Sequence, residues 1–365
     1  MSSTASPTTI LVADRSALAR AWSERLLADE GHRVIAASDG AEALRLARSE
    51  APDVVVLNDA LSGLTGRQVI GALRQEGAVT GIVILTGRQD ADAEAEALMM
   101  GADDAVRRPC HARELAGAVS RAEAKARARR SRRVRDERLD GELRAAAAIQ
   151  AALLPRGTPA PSGYRLDWAF LPAREVGGDL VDVLSGPDGS LLVMLADVSG
   201  KGLEAALLSG MARTALRAAF ARGDDPAEAL TAAGALLYQD LEHTGAYLTA
   251  FALRLEPGEG RLTYADAGHG HHLLLDAIGG ERPLGAGGPP LGLVPRPAYD
   301  LGTETIAPGE MVAIFSDGLV EGDGEPAERR RDLLQAIAGR RYAYDLVAAA
   351  PEDDDRTLLV LERDA

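Results

Sequence analysis

Five short apolar runs recur in the first part of the chain, and a helical pattern follows each of them. The runs occupy residues 10–13, 34–37, 54–57, 82–85 and about 104–106. Short apolar runs without polar alternation are typical of strands buried on both faces of a parallel sheet. Five such strand–helix units predict a doubly wound, flavodoxin-like α/β domain over residues 1–118, with its functional site at the carboxyl ends of the strands.

One uninterrupted helical pattern occupies residues 119–154. It contains no proline and a single glycine, Gly141, and it ends at Pro155. Nine basic side chains lie between Arg121 and Arg138. They suit a solvent-exposed connector and equally a dimeric coiled coil that transmits a signal, so we expect a helical linker and a homodimer. Nucleic-acid binding is disfavoured, because no aromatic residues interleave with the charges.

The acidic excess and a different strand pattern set residues 155–365 apart. This segment carries a net charge of −15, equal to that of the whole chain. Such a surplus disfavours nucleic acid as a substrate and suits hard divalent cations. Its strand-like segments are grouped, with two helices at about 201–221 and 226–241 and a single helix after residue 331. This grouping predicts antiparallel strands in an α+β layered domain.

Cysteine usage and hydropathy indicate the compartment. Cys110 is the only cysteine, so no internal disulfide forms and a reducing environment is expected. No apolar run approaches the roughly 20 residues of a membrane-spanning helix. The first residues lack the basic and apolar pattern of a secretory signal. We therefore expect a cytoplasmic protein that does not contact a membrane.

Four acidic motifs stand beside strong apolar strands in the second half of the chain. They are residues 172–182 (PAREVGGDLVD), 196–203 (ADVSGKGL), 312–318 (VAIFSDG) and 353–360 (DDDRTLLV). Asp and Gly are common in turns, which would explain any one motif alone. Four in this order are better explained by carboxylates that converge from distant segments at the ends of strands.

The first domain resembles the response-regulator receiver domain over about 110 residues. The segments that carry the resemblance are 10–18, 52–66, 82–86 and 101–109. Receivers place an acid pair after the first strand, a phosphoacceptor Asp after the third and a Lys before the Pro after the fifth. The corresponding positions here are Asp14–Arg15, Asn58 and Arg108, and only Thr86 matches the family's pattern.

These substitutions remove the receiver's chemistry. An amide at Asn58 is no nucleophile, and Asp14 with Arg15 and Arg108 gives the pocket a net charge of +1, which should repel Mg²⁺. Asp59 is an unfavourable substitute acceptor, because adjacent residues at a strand end point to opposite faces. The sequence thus predicts a degenerate receiver that acts without phosphorylation, for example by binding a regulatory protein.

The second half resembles the PPM-type (protein phosphatase 2C-like) Ser/Thr phosphatases of the SpoIIE branch over residues 155–365. Besides the four motifs, the resemblance includes the segments 148–155, 264–270 and 290–293. It implies an αββα sandwich of two sheets. It also implies two Mn²⁺ or Mg²⁺ ions and attack of a metal-activated water on a phosphoserine or phosphothreonine, without a covalent enzyme intermediate.

Carried over residue by residue, the resemblance implies a set of metal ligands. They are Asp179, Asp197, the backbone carbonyl of Val198, Asp317, and either Asp354 or Asp355. Arg174 would hold a phosphate oxygen, with a solvent-exposed loop residue as the alternative. Asp182 would either orient the direct metal ligands or bind a third metal ion. The histidines at 269, 271 and 272 are interpreted as a turn rather than as a metal site.

Two classes of function are consistent with these motifs. The first is a phosphoprotein phosphatase, whose substrate the resemblance implies to be a STAS-type anti-sigma-factor antagonist. The second is a non-catalytic adaptor that binds a partner protein through two relic domains. The retained acids favour the enzyme, because converging carboxylates without metal repel one another.

Overall fold

The structure is a computed structural model that describes residues 7–87, 91–157, 160–186, 188–285, 287–322 and 325–365. The chain divides into two compact units, Met1–Leu139 and Asp140–Ala365. The division falls within one long helix, α5 (Ala112–Leu153). In the described residues, no helix combines the length and the apolar character that crossing a bilayer requires.

The first unit is the predicted parallel α/β domain. Its sheet has the order β2-β1-β3-β4-β5, and all its pairs are parallel. The elements before α5 are β1 (Thr9–Ala13), α1 (Ala17–Asp29), β2 (Arg33–Ala37), α2 (Gly40–Glu50), β3 (Val54–Asn58), α3 (Gly66–Gln75), β4 (Gly81–Thr86), α4 (Ala91–Met99) and β5 (Asp104–Arg107).

Each face of this sheet is covered by helices. Helices α2, α3 and α4 bury one face, with Leu11 and Ile82 in the shared core. Helices α1 and α5 bury the other, where Val119 and Ala122 pack with Leu115. The sequence assigned Val119 and Ala122 to the linker. They belong to the core because the apolar face of α5 continues past residue 118.

The second unit contains two antiparallel sheets, with the orders β13-β10-β9-β8-β7 and β12-β11-β14-β15-β6. The elements are β6 (Tyr164–Leu171), β7 (Leu180–Ser185), β8 (Leu191–Val198), α6 (Leu203–Ala221), α7 (Pro226–Thr244), β9 (Leu248–Glu256), β10 (Arg261–Ala267), β11 (His272–Leu275), β12 (Glu281–Pro283), β13 (Gly302–Thr305), β14 (Met311–Phe315), a 3₁₀ turn (Asp317–Leu319), α8 (Pro326–Ala338), α9 (Ala343–Ala349) and β15 (Arg356–Arg363).

The layers of this unit form the expected αββα sandwich. Alternate strand residues such as Val193, Phe251 and Leu359 fill the space between the sheets. Helices α6 and α7 cover the outer face of the first sheet, and α8 and α9 cover that of the second. The expectation of a single helix after residue 331 was wrong, because two helices separated by a short turn occupy this region.

Candidate active site

Two acids of the first sheet lie opposite each other at one end of it. Leu180 at the start of β7 pairs with Ala196 near the end of β8, so the antiparallel register places Asp179 across from Asp197. Both side chains face the space between the sheets, since Val181 and Leu195 on the same faces pack there. Asp179 is only 2% exposed.

The second sheet delivers Asp317 to the same end through a turn bonded to β15. The Ser316 N–H donates to the Thr357 carbonyl at 3.0 Å, and the Thr357 N–H donates to Ser316 Oγ at 2.9 Å. The Thr357 hydroxyl then donates to Asp179 Oδ2 at 2.5 Å, across the sheets. This contact brings the first, third and fourth motifs together.

Asp355 holds the loop that precedes β7. Its carboxylate accepts the N–H groups of Ala173 at 2.8 Å and of Gly178 at 2.5 Å, and a longer bond of 3.4 Å from Asp179. A Cβ at Gly177 would lie 2.4 Å from the same carboxylate, so only glycine permits this approach. Both oxygens of Asp355 are therefore used by backbone donors.

Asp354 faces a cation instead. Its carboxylate is 2.7 Å from Lys201 Nζ, which also donates to the carbonyl of Asp353 at 2.8 Å. The Asp354 side chain is 41% exposed, whereas Asp355 is buried. The two adjacent acids thus have different environments, which the sequence alone left unresolved.

Asp179, Asp197 and Asp317 form an acidic cluster, in which burial and neighbouring negative charges raise the pKa of each carboxyl group. Burial, followed by the charges of Asp317 and Asp354, raises the pKa of Asp197 to about 7. Burial and the charge of Asp197 raise the pKa of Asp179 well above its ordinary range, against the hydrogen bond from Thr357. Burial and Asp354 also raise the pKa of Asp317. Each carboxylate is thus costly to ionise without a neighbouring cation.

The ligand atoms available at this site, carboxylate oxygens and the Val198 carbonyl oxygen, are of the kind that binds a divalent metal ion. Mg²⁺ and Mn²⁺ prefer such oxygens, and Asp179 Oδ1 is buried without a hydrogen-bond partner. A Cβ at Gly178 would lie 2.9 Å from the Val198 carbonyl oxygen, so glycine keeps that oxygen accessible. Within the described ranges, no three Asp, Glu, His or Cys side chains are arranged to hold a metal as they stand.

Asp182 lies apart from the cluster, on the opposite face of β7. Arg217 forms two hydrogen bonds to its carboxylate, one of them at 2.7 Å, and Arg213 Nε is 3.2 Å away. Both arginines belong to α6. Asp182 therefore fastens α6 to the sheet. The metal role expected for it is not supported, because three residues along a strand reverse the direction of the side chain.

Arg174 is exposed and extends toward the turn that opens α6. Its Nη1 would be 3.9 Å from a Cβ placed on Gly202. An exposed guanidinium beside this turn is compatible with the phosphate role expected for it.

Sequence reasoning missed Gln150, near the end of α5. Its amide Nε2 donates to the Gly177 carbonyl at 2.7 Å, and its Oε1 accepts the Gly177 N–H at 3.1 Å. The only available signal was a lone polar residue in the alanine-rich stretch 145–152. Ser316 and Thr357 were also missed, although they stand inside the third and fourth motifs.

In the receiver-like unit, Arg108 occupies the acidic pocket. Its guanidinium hydrogen-bonds to Asp14, which is 1% exposed and also accepts from Asn58 Nδ2 at 2.9 Å. Arg15 is exposed, and the hydroxyl of Thr86 is buried without a partner. The Asp14 carboxylate is therefore neutralised from within the fold.

Family models match both halves of the chain. Residues 10–120 match the response regulator receiver domain, and residues 187–364 match stage II sporulation protein E (SpoIIE). The chain joins a receiver domain to a SpoIIE-family domain. In the receiver domain the degenerate positions are the ones gathered around Asp14. In the SpoIIE-family domain the retained acids lie at the shared end of the two sheets.

Individual relatives support the second assignment. The phosphoserine phosphatase RsbU of Bacillus subtilis is 27% identical over 243 residues, which cover 62% of this chain and 71% of RsbU. Protein IcfG of Synechocystis is 25% identical over 225 residues, or 54% of this chain, but the match spans only 35% of IcfG. The SiaA-PP2C domain of Pseudomonas aeruginosa shares the fold, with a TM-score of 0.52 at 21% identity over 63% of this chain and 98% of that one.

Proposed function

We propose that this chain is a metal-dependent protein phosphatase that hydrolyses phosphoserine or phosphothreonine in bacterial signalling. The observation that carries the proposal is the convergence of Asp179, Asp197 and Asp317 at one end of the two sheets. Burial and neighbouring acids raise the pKa of each of these carboxyl groups. Such a cluster is stabilised by a divalent cation. The similarity to RsbU supports phosphoserine as the target.

Within this proposal, two Mn²⁺ or Mg²⁺ ions, when bound, supply Lewis acidity and activate a water for in-line attack on phosphorus. Asp179, Asp197, Asp317 and the Val198 carbonyl hold them. Arg174 binds oxygens of the phosphoryl group in a bidentate manner. The chain contributes no nucleophile of its own, so no phosphorylated residue forms on it during turnover.

Asp354 is the ligand that we propose from the fourth motif. Asp355 already accepts three backbone N–H groups, whereas Asp354 is paired with the ammonium of Lys201 at a partly exposed site. Lys201 would have to leave the Asp354 carboxylate before that carboxylate could hold a metal ion.

We further propose a STAS-type anti-sigma-factor antagonist as the substrate and a protein partner as the signal. The receiver-like unit acts without phosphorylation, since Arg108 neutralises Asp14. Helix α5 would dimerise and pass the signal to Gly177 through Gln150. The alternative, a non-catalytic adaptor, gives no role to carboxylates that destabilise one another without metal.

The deciding experiment uses the full-length chain. We expect Mn²⁺-dependent phosphate release from p-nitrophenyl phosphate and from a phosphorylated STAS-domain protein, with Asp197→Asn as the inactive control. Hydrolysis of the small ester alone would exclude the proposed substrate class and leave the phosphatase assignment standing. Absence of hydrolysis of either compound at saturating Mn²⁺ or Mg²⁺ would favour the adaptor.

A further inference from the structure

One buried histidine connects two strands that adjoin the positions of Asp197 and Asp317. His269 is 6% exposed and lies in the turn after β10. Its Nδ1 is 3.2 Å from the hydroxyl of Thr249, and its Nε2 is 3.0 Å from the carbonyl of Phe315. The imidazole therefore contacts β9 of one sheet and the end of β14 of the other.

One partner of this ring is paired with Asp197, and the other lies two residues before Asp317. Thr249 is paired with Asp197 across the β8–β9 ladder. Phe315 is the last residue of β14, two positions before Asp317. A single side chain thus spans the gap between the backbone segments that position Asp197 and Asp317.

The hydrogen bonds fix the tautomer of the ring. A carbonyl can only accept, so Nε2 carries the proton and Nδ1 accepts from the Thr249 hydroxyl. Burial lowers the pKa of His269 to about 3, so the ring is neutral at physiological pH. The turn itself is held by Asp266, whose carboxylate accepts the His269 N–H at 2.7 Å. The ring is thus held at both nitrogens, and its backbone is held by Asp266.

We propose that His269 is a positioning residue that sets the separation of Asp197 and Asp317 and thereby the affinity of the site for divalent metal. This inference rests on the proposed function insofar as the acids bind a metal. Removal of a group that orients metal ligands without touching the metal typically weakens metal binding by about 10–100-fold.

His272 provides a matched control. It is equally buried, at 8% exposed, and its Nε2 is also 3.0 Å from a carbonyl, that of Leu284. Its ring stacks on Phe251 at 4.0 Å between centroids. Neither Leu284 nor Phe251 adjoins an acid of the cluster in sequence. Loss of this ring should therefore reduce stability without changing the geometry of the metal site.

The test measures Mn²⁺ affinity by titration calorimetry, together with thermal unfolding in the absence of metal, on the full-length chain. We expect His269→Leu to weaken Mn²⁺ binding about tenfold or more. His269→Gln should recover much of the affinity, because its amide can still donate to Phe315. His272→Leu should lower the unfolding temperature about as much as His269→Leu does, and it should leave the Mn²⁺ affinity unchanged.

Thr249→Val supplies a variant that retains shape and should fold. It removes the hydroxyl that His269 accepts from, so its effect on Mn²⁺ affinity should not add to that of His269→Leu in the double variant. Wild-type affinity in His269→Leu, or equal losses in the His269 and His272 variants, would overturn the positioning role. A wild-type chain that binds no Mn²⁺ would overturn the proposed function itself.

Discussion

The Thr357 hydroxyl donates to Asp179 Oδ2 at 2.5 Å, and this bond joins the first residues of β15 to the start of β7 in the other sheet. The second oxygen of Asp179 is buried without a partner. One oxygen is therefore fixed in orientation while the other remains available. A carboxylate held in this way is preorganised to bind a cation placed between the sheets.

Replacing Thr357 tests this relationship. Thr357→Val removes the donor and keeps the shape, so Asp179 loses its orientation. We expect Mn²⁺ affinity and kcat/KM to fall about tenfold, and Thr357→Ser to restore most of both. Calorimetric titration and phosphatase assays measure the two effects. Equal behaviour of the Val and Ser variants would show that the hydroxyl has no role.

The acids of the cluster are expected to oppose folding and support activity. Asp197→Asn and Asp317→Asn should each reduce the rate by about 100-fold or more at saturating Mn²⁺. Each should also raise the unfolding temperature of the metal-free protein, because one repelling charge is removed. Differential scanning calorimetry without metal measures the second effect. A variant that retains more than about a tenth of the wild-type rate would remove that residue from the proposed ligand set.

Substitution of Asp354 and of Asp355 in the fourth motif should affect Mn²⁺ binding and stability differently. Asp354→Asn should weaken Mn²⁺ binding. It should leave the metal-free unfolding temperature close to that of wild type, because losing the ion pair with Lys201 offsets the relief of repulsion on Asp197 and Asp317. Asp355→Asn should lower that temperature, since an amide cannot replace a carboxylate that accepts from Ala173, Gly178 and Asp179 together. Calorimetry with and without Mn²⁺ distinguishes them. If Asp355→Asn weakened Mn²⁺ binding and Asp354→Asn lowered the unfolding temperature, Asp355 would be the metal ligand and Asp354 the structural residue.

Gln150 allows a test of the end of α5. Gln150→Leu keeps the helix and removes both hydrogen bonds to Gly177, so kcat/KM should fall about tenfold through misplacement of the Asp179 loop. Ile149→Ala is the control, since Ile149 is 65% exposed. Steady-state kinetics on full-length variants give the comparison. An equal loss in both would indicate a general effect on the helix.

The receiver domain is expected to take no phosphoryl group. Incubation with acetyl phosphate and Mg²⁺ should leave the intact mass unchanged, and Asn58→Asp alone should remain unmodified because Arg108 still occupies the pocket beside Asp14. Arg67 is bonded to Asp59 at 3.1 Å, which disfavours that residue as a substitute acceptor. A Mg²⁺-dependent gain of one phosphate within residues 1–118 would contradict this prediction.

Much of the fold was predictable from sequence because it depends on local periodicity. Four-residue apolar runs such as 54–57 predicted the parallel strands, and the grouped strands after residue 164 predicted antiparallel sheets. Acids placed directly after strands, as Asp197 and Asp317 are, were predictable for the same reason. The short strands β12 and β13 were missed, since three- and four-residue segments with exposed residues carry little pattern.

By itself the sequence determined that two domains are present, which of them lost its charged positions, and which strand ends carry acids. Tertiary structure decided what each acid contacts. Asp355 rather than Asp354 holds the backbone loop, and Asp182 pairs with Arg217 across a helix–sheet interface. The reason is physical. Periodicity along a chain sets the face on which a residue lies. The hydrogen bond between Thr357 and Asp179, in contrast, depends on how two sheets built from distant chain segments pack together.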